Sequence, residues 1–202
     1  MDTLVKVAKT YGNFTFDSLF ANMLYVIPEP EGYLPTKNKS YNIKYVGPIF
    51  WKGFEESRPS WLNKLQPNGK TVYLTFGGTG FDGNKLIDLS RYLLSNGYTV
   101  VVSASTIADI EKFPEDNNLF VEKFLPGFEV VKHVDLVICH GGYGTMMQAV
   151  LGGKPVITIP FQPDQLMHAF RFQELGLGRC AVNMSFGMIK NLLKRDWQGV
   201  LV

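Results

Sequence analysis

The stretch from Asp135 to Gln165 constrains the fold more than any other part of the sequence. An apolar run leads to His140, a glycine-rich turn follows, and residues 145–151 then contain no helix breaker. A second apolar run, residues 155–159, leads into a polar loop. Because short apolar runs are typical of buried strands and glycines mark tight turns, this order predicts a strand, a turn, a helix, a second strand and a loop.

The glycine-rich turn is typical of an anion-binding site. It contains Gly141, Gly142 and Gly144 and stands directly before the predicted helix. The first N–H groups of a helix have no partner within the helix and lie at the positive end of its dipole. Glycines let an anion approach such groups closely. We therefore predict that the turn holds a phosphate and that the chain binds a nucleotide-like ligand.

Predicted strands and helices alternate with short links from Thr71 to Val182. This alternation predicts an α/β fold, with a Rossmann-like parallel sheet, helices on both faces and right-handed crossovers. A second glycine run, Gly77 to Gly80, also follows a predicted strand directly. Because ligands of such sheets gather outside the carboxyl ends of the strands, we expect both glycine turns at that edge.

The bounds of the predicted elements follow from apolar runs, caps and turn residues. Ser60 and Asp164 are candidate helix N-caps, and Asn96-Gly97 is a candidate C-cap. The predicted helices cover residues 2–11, 60–65, 84–95, 128–133, 145–151 and 165–175. The predicted strands cover residues 24–27, 42–46, 71–76, 98–103, 118–124, 135–139 and 156–159.

The composition and the motifs exclude several classes of protein. With a formal net charge of +2 and scattered basic residues, the chain has no electrostatic footprint for nucleic acid. No segment reaches signal-peptide or transmembrane length, so a cytoplasmic protein is expected. Cys139 and Cys180 lie in apolar contexts, which favours buried reduced thiols over a disulfide or a catalytic role. The spacing of Gly77 to Gly80 fits neither a Walker loop nor a dinucleotide motif, and no cluster has metal-ligand spacing.

The polar residues near the predicted edge have both structural and functional interpretations. His140 beside two glycines can donate to a phosphate oxygen, although a lone histidine is more often structural. Thr145 offers a hydroxyl and a backbone N–H to the same anion. Asp164 and Gln165 can cap a helix, hold adjacent hydroxyls of a sugar, or do both. Gly77 to Gly80 can be a ligand loop or only a tight turn.

A longer string around the glycine turn resembles a known motif. It is formed by His140-Gly-Gly-Tyr-Gly-Thr145, Gln148, Gly152-Gly-Lys-Pro155 and Pro160-Phe-Gln-Pro-Asp-Gln165. The string resembles the donor-binding signature of GT-B glycosyltransferases, in the group of the UDP-glycosyltransferases and the macrolide and sterol glycosyltransferases. Three upstream segments resemble further parts of that family: residues 42–48, 72–78 and 124–126. The resemblance implies the C-terminal half of a GT-B fold.

The resemblance also implies roles for individual residues. It assigns the donor diphosphate to residues of both glycine turns: His140, Gly142, Thr145, Gly77, Gly78 and Thr79. Gln148 would meet the ribose hydroxyls, and Phe124 and Leu125 would pack on the base. Asp164 and Gln165 would hold the transferred sugar. No metal and no other cofactor is expected, because the nucleotide-sugar is a substrate.

Three positions depart from the family pattern. Position 148 is Gln where the family usually has Glu, and position 127 is Gly where many members have Gln. Position 124 is Phe where plant members have Trp. A UDP-sugar is the expected donor, but these departures leave room for a donor other than UDP-glucose.

The resemblance implies a chain that is catalytically incomplete. Residues 1–50 would be a remnant of the N-terminal acceptor domain, residues 51–69 a linker with a short helix, and residues 70–202 a donor-binding domain truncated at its C-terminus. The family's general base is usually a histidine near the chain start, and no histidine precedes His133 here. We therefore expect an inverting glycosyltransferase that is inactive alone and whose hydroxyl acceptor is unknown.

Two alternatives to an incomplete enzyme follow. The chain can be the donor-binding subunit of a split glycosyltransferase that needs an acceptor-binding partner. An exposed apolar surface would favour that alternative, and the candidate residues for it are Phe14, Phe16, Leu19, Phe20 and Met23. A nucleotide-sugar epimerase of the same fold is disfavoured because the sequence lacks the expected carboxylate pair.

Overall fold

The structure is a computed structural model that describes residues 23–34, 42–50, 58–65, 70–78, 80–182 and 186–193. The chain divides into two compact units, Met1–Phe50 and Trp51–Val202. Several predicted features lie outside the described residues: the helix over residues 2–11, the candidate site residue Thr79, and Phe14, Phe16, Leu19 and Phe20.

The first unit contains the two strands that the sequence predicts. Strand β1 (Leu24–Ile27) pairs in parallel with β2 (Asn42–Tyr45), and the N–H of Val46 continues the pairing by donating to the carbonyl of Ile27. The interpretation of this unit as a remnant of an acceptor domain stays a prediction.

The second unit is built on a parallel sheet of six strands. In space, the strand order is β5, β4, β3, β6, β7, β8. This order confirms the predicted Rossmann-like fold. It also makes β3 and β6 neighbours, although 60 residues lie between Thr75, the last residue of β3, and Leu136, the first residue of β6. The strands are β3 (Thr71–Thr75), β4 (Thr99–Ser103), β5 (Leu119–Glu122), β6 (Leu136–Cys139), β7 (Val156–Thr158) and β8 (Gly178–Cys180).

Helices cover both faces of this sheet. They are α1 (Gly83–Ser95), α2 (Gly127–Val130), α3 (Tyr143–Leu151), α4 (Pro163–Glu174) and α5 (Phe186–Leu193), with 3₁₀ turns at Ser60–Lys64, Ile110–Lys112 and Val131–His133. One face of the sheet forms a continuous apolar core with α1 and α5. Side chains alternate along a strand, so the intervening residues Tyr73, Val101 and Val137 point to the opposite face, where they are also buried.

Helix α1 is capped at both ends, and its C-terminal cap is the one that the sequence predicts. The side chain of Asp82 accepts a hydrogen bond from the N–H of Asn84 and thereby caps the first turn. At the other end, Asn96 is the C-cap and Gly97 has a φ of +79°, a conformation that glycine adopts without the cost of a Cβ.

One predicted N-cap is wrong by one residue, and two predicted helix starts are wrong by two residues. The 3₁₀ turn begins at Ser60 itself, with Pro59 as the N-cap. Helix α3 begins at Tyr143, which places Thr145 inside the first turn rather than at the start. Helix α4 begins at Pro163, because a proline at the first helical position lacks an N–H that would otherwise be unpaired. Asp164 therefore lies in the first turn of α4 and is not its N-cap.

The 3₁₀ turn at Ser60–Lys64 packs against the edge strand β5. The indole Nε1 of Trp61 donates to Oε1 of Glu122 over 3.0 Å, and the ring packs against Phe120 with centroids 4.9 Å apart. Leu62 and Leu65 are buried. These contacts fix the turn against side chains of the edge strand β5.

Within the residues that the structure describes, no helix combines the length and the apolar character needed to cross a membrane. Cys139 and Cys180 are both buried and have free thiols, which confirms the predicted burial.

Candidate functional site at the carboxyl edge of the sheet

The two glycine turns meet at one edge of the sheet, as predicted. Thr75 at the end of β3 lies opposite Cys139 at the end of β6, so the residues that follow the two strands are adjacent. A Cβ placed on Gly77 would lie 3.4 Å from Cε1 of His140. Gly77 has a φ of +69°, a backbone conformation that favours glycine, and the imidazole lies at ordinary contact distance from its Cβ position.

The imidazole of His140 is packed between the two turns. A Cβ on Gly142 would overlap its Nε2, although Gly142 has a φ of −66° that any residue can adopt. The glycine at position 142 is therefore explained by the space that the ring occupies. Gly141, with a φ of +90°, lets the chain pass close to the carbonyl oxygen of Gln165.

His140 combines burial with an unpaired ring nitrogen. Its Nδ1 is buried and has no hydrogen-bond partner among the described residues. Burial lowers the pKa of the imidazole below its ordinary value of 6.5, and the nearby Thr75 backbone and the Asp164 carboxylate act in the opposite direction. Since burial has the largest effect, His140 is neutral at neutral pH, and one of its nitrogens carries a proton that it can donate.

The N-terminus of α3 supplies the second feature of the site. Gly142 is the N-cap and offers no side chain to the free N–H groups of the first turn. No acidic residue lies in that turn, and Thr145 adds a partly buried hydroxyl to it. The arrangement leaves a positive helix end free to meet an anion beside His140.

The first glycine turn is held by the loop that follows β4. Oγ1 of Thr106 donates to the carbonyl of Gly78 over 2.9 Å. A Cβ on Gly78 would lie 3.3 Å from Oγ of Ser105, which itself has a positive φ of 51°. The turn is thus held by a hydrogen bond from the loop after the neighbouring strand, and not by its own glycines alone.

An aromatic side chain borders the opposite side of the site. The ring centroid of Phe161 lies 6.1 Å from that of His140 and 5.5 Å from that of Phe81. A Cβ on Gly80 would lie 2.7 Å from Cε2 of Phe161, so this glycine is required for the contact between the two loops. Phe161 and Thr106 were not singled out by the sequence. Phe161 stands within the string at residues 160–165 that resembles the donor-binding signature, but it was given no role, and Thr106 was marked only by its position shortly after a predicted strand.

Asp164 and Gln165 lie in the first turn of α4 and differ in exposure. Asp164 is exposed and close enough for its charge to act on His140. Gln165 is only 5% exposed. Its Oε1 accepts from the N–H of Phe161 over 3.1 Å, and its Nε2 donates to Oε1 of Gln162 over 3.2 Å. Their predicted contacts with a sugar stay predictions.

The residues predicted to bind the base and ribose are only partly brought together. The carboxamide of Gln148 lies against Gly127, where a Cβ would overlap its Oε1. A side chain at position 127 and the present conformation of Gln148 therefore exclude each other. Phe124 is 61% exposed and Leu125 is partly buried at the end of the same loop.

Two open cavities lie outside these turns. The larger, about 710 Å³, is lined by the loop after Ile110 and by β5, and its three carboxylates, Glu111, Glu115 and Asp116, disfavour a diphosphate. The smaller, about 500 Å³, is lined by residues 105–111 and Lys123. No group of three or more metal-ligating side chains occurs within the part of the chain that the structure describes.

Comparison with known proteins assigns the family of this region. Residues 98–194, which include the second glycine turn, His140 and the start of α4, match the glycosyltransferase family 28 C-terminal domain. This segment is a glycosyltransferase C-terminal domain. The predicted resemblance to GT-B glycosyltransferases is thereby confirmed.

The relatives of this glycosyltransferase domain are longer proteins. The chain is 30% identical over 146 residues to a PGL/p-HBAD biosynthesis glycosyltransferase of Mycobacterium tuberculosis, covering 72% of this chain and 33% of that protein. It is 27% identical over 175 residues to the NDP-glycosyltransferase YjiC of Bacillus licheniformis, covering 83% and 43%. The chain thus spans about a third of the length of the first curated relatives it matches.

The fold of the glycosyltransferase domain is also that of a solved structure. CalG4, the calicheamicin glycosyltransferase, superimposes with a TM-score of 0.73 at 20% sequence identity. The superposition covers 96% of this chain and 51% of CalG4. At this level of identity the comparison shows the fold alone.

The packing of His140 predicts opposite effects for two neighbouring glycines. Gly142→Ala places a methyl group where the imidazole lies and should lower the free energy of unfolding by about 1–3 kcal/mol. Gly144→Ala is the matched control, since no heavy atom lies within 4 Å of its Cβ position. Because alanine favours a helix, it should leave stability unchanged or raise it by up to about 1 kcal/mol. Urea unfolding measures both changes, and equal effects of the two substitutions would contradict the packing.

The lowered pKa of His140 predicts a pH-dependent contribution to stability. The unfolded chain binds a proton at this residue near the ordinary pKa of 6.5, whereas the folded chain binds it only at lower pH. The contribution is therefore fully present above 6.5 and is lost as the pH falls through that value toward the lowered pKa. Unfolding curves at roughly pH 8 to roughly pH 5 should show wild type losing stability relative to His140→Gln. A constant difference between the two proteins across this range would refute the prediction.

Proposed function

We propose that the chain is the donor-binding part of an inverting glycosyltransferase that transfers a sugar from a nucleotide-sugar, with a UDP-sugar as the donor, to an acceptor hydroxyl. The observation that carries the proposal is the position of His140, whose ring has an unpaired nitrogen and lies between two glycine turns at the N-terminus of α3. The family match of residues 98–194 supports the same class of reaction.

In the proposed mechanism, the donor diphosphate is the leaving group and lies at the N-terminus of α3. His140, Gly142 and Thr145 contact it from one side, and Gly77, Gly78 and Thr79 close over it from the other. As the bond to the sugar breaks, negative charge grows on the diphosphate. The helix dipole and the N–H of the neutral imidazole stabilise that charge without a metal ion.

The nucleoside binds on the neighbouring side of the edge. Gln148 lies one helical turn beyond Thr145 and meets the ribose hydroxyls, while Phe124 and Leu125 pack on the base. The exposed ring of Phe124 supports this assignment, because a stacking residue needs a free face. The transferred sugar lies against the loop that leads into α4, beside Asp164 and Gln165.

Activation of the acceptor requires groups other than those named above. We expect the general base in an acceptor domain. The relatives are longer than this chain, and their additional length is enough for such a domain. We therefore propose that the isolated chain binds the donor but transfers little or no sugar. We also propose that the protein is cytoplasmic.

The second candidate function is a donor-binding subunit of a split glycosyltransferase. Apolar side chains of the first unit favour it: Met23, Leu24, Val26, Val46 and Ile49 are all exposed, between 45% and 72%. Light scattering of the pure chain, alone and with a candidate acceptor-binding protein, separates the two functions. Sugar transfer that appears only in a stable complex identifies the subunit.

The proposed diphosphate site predicts a specific loss of nucleotide binding. Calorimetry with UDP, TDP and GDP should show binding to wild type, strongest for UDP, and His140→Ala should weaken it about tenfold or more, the size expected for one hydrogen bond to a charged group. His133→Ala is the matched control, because it removes an imidazole that contacts the carbonyl of Leu65 away from both turns. Absence of binding, or equal binding by wild type and His140→Ala, would refute the proposal.

A further inference from the structure

The loop before α4 contains a chain of hydrogen bonds that determines the orientation of two amide side chains. The backbone N–H of Phe161 donates to Gln165, and Gln165 donates in turn to Gln162. A backbone N–H can only donate, so the atom that it meets on Gln165 is the carboxamide oxygen. The nitrogen of Gln165 therefore faces Gln162 and must meet an oxygen there.

This chain leaves Nε2 of Gln162 as a free donor. Its oxygen is engaged by Gln165, whereas its NH₂ group has no hydrogen-bond partner in the part of the chain that the structure describes. Gln162 is exposed, in contrast to the buried Gln165. Its Nε2 lies 3.2 Å from the Cβ position of Gly80, so the free donor faces the end of the first glycine turn.

The neighbouring contacts place this donor beside the proposed diphosphate. Phe161, the preceding residue, borders the ring of His140, and the charge of Asp164 acts on the same ring. A group attached to the diphosphate at His140 therefore reaches the loop formed by residues 160–164. There it meets a carboxylate, which only accepts hydrogen bonds, and an NH₂ group, which only donates them. Sugar hydroxyls do both, so they are the chemical groups that this pair matches.

We propose that Gln162 determines specificity for the donor sugar by donating from Nε2 to one of its oxygens, and that Gln165 is a positioning residue that orients Gln162. This inference rests on the proposed function, since it needs a nucleotide-sugar at His140. It assigns the two amides different roles. Gln165 acts within the loop, and Gln162 contacts the ligand. Donors that carry a hydroxyl at the contacted position are favoured over the corresponding deoxysugars.

The test separates the sugar contact from nucleotide binding. The dissociation constants of UDP and UDP-glucose, and of TDP and TDP-glucose, are measured by calorimetry for each variant. The gain from glucose is the affinity for the sugar nucleotide divided by the affinity for the corresponding nucleoside diphosphate. Gln162→Ala should leave the affinity for the nucleoside diphosphate unchanged and lower this gain by about 3- to 10-fold, as expected for one neutral hydrogen bond. Gln165→Met should lower the same gain. Met167→Ala, an exposed position on α4, is the control and should change neither value.

Two further measurements keep the proposal testable if a variant is unstable. Gln162→Glu retains an oxygen for Gln165 but replaces the free donor by an acceptor, so it should lose the same gain from glucose. In wild type, the side-chain NH₂ resonances of Gln162 should shift on addition of the sugar nucleotide and not on addition of the nucleoside diphosphate.

The outcomes distinguish this inference from the proposed function. If no nucleoside diphosphate binds wild type, the proposed function fails. If nucleotides bind and Gln162→Ala and Gln162→Glu keep the full gain from glucose, only the inference fails. A loss with Gln165→Met but not with the Gln162 variants would show that Gln165 contacts the sugar directly, which also overturns it.

Discussion

The pairing of β3 with β6 is the contact on which the candidate site depends. It places Thr75 opposite Cys139, so the glycine turns that follow these strands meet although they are far apart in the sequence. His140 then fits between Gly77 and Gly142, where any larger residue would contact or displace its ring. Burial in that position keeps the imidazole neutral, while an unpaired nitrogen retains its capacity for a hydrogen bond.

The second half of the site depends on contacts between loops. Phe161 packs across Gly80, and the buried carboxamide of Gln165 holds the backbone of Phe161 in place. A buried amide must satisfy its own donors and acceptors. Because Nε2 of Gln165 needs an acceptor, it fixes the direction of the Gln162 carboxamide oxygen. The free N–H groups of α3, the imidazole and this loop together form one edge that combines positive potential with directed donors and acceptors.

Much of the fold could be predicted from the sequence, because it depends on local patterns. Apolar runs marked β1 to β7 to within two residues at either end, and Asn96-Gly97 marked the end of α1, but β8 (Gly178–Cys180) was not predicted. The helix starts at Tyr143 and Pro163 were missed, since glycine and proline were counted as turn residues although both can occupy the first turn. The direction of the Gln165 carboxamide and the contact of Gln148 with Gly127 could not be predicted. Both are set by residues from separate loops that come together only in the folded chain.

The proposed function requires that a nucleoside diphosphate binds between His140 and the N-terminus of α3. Backbone amide NMR during a titration with UDP tests this location most directly. The largest shift changes are expected on Gly142, Gly144 and Thr145 and on Gly77 and Gly78 of the first glycine turn. Changes confined to the acidic cavity near Glu111, or no changes at saturating UDP, would contradict it.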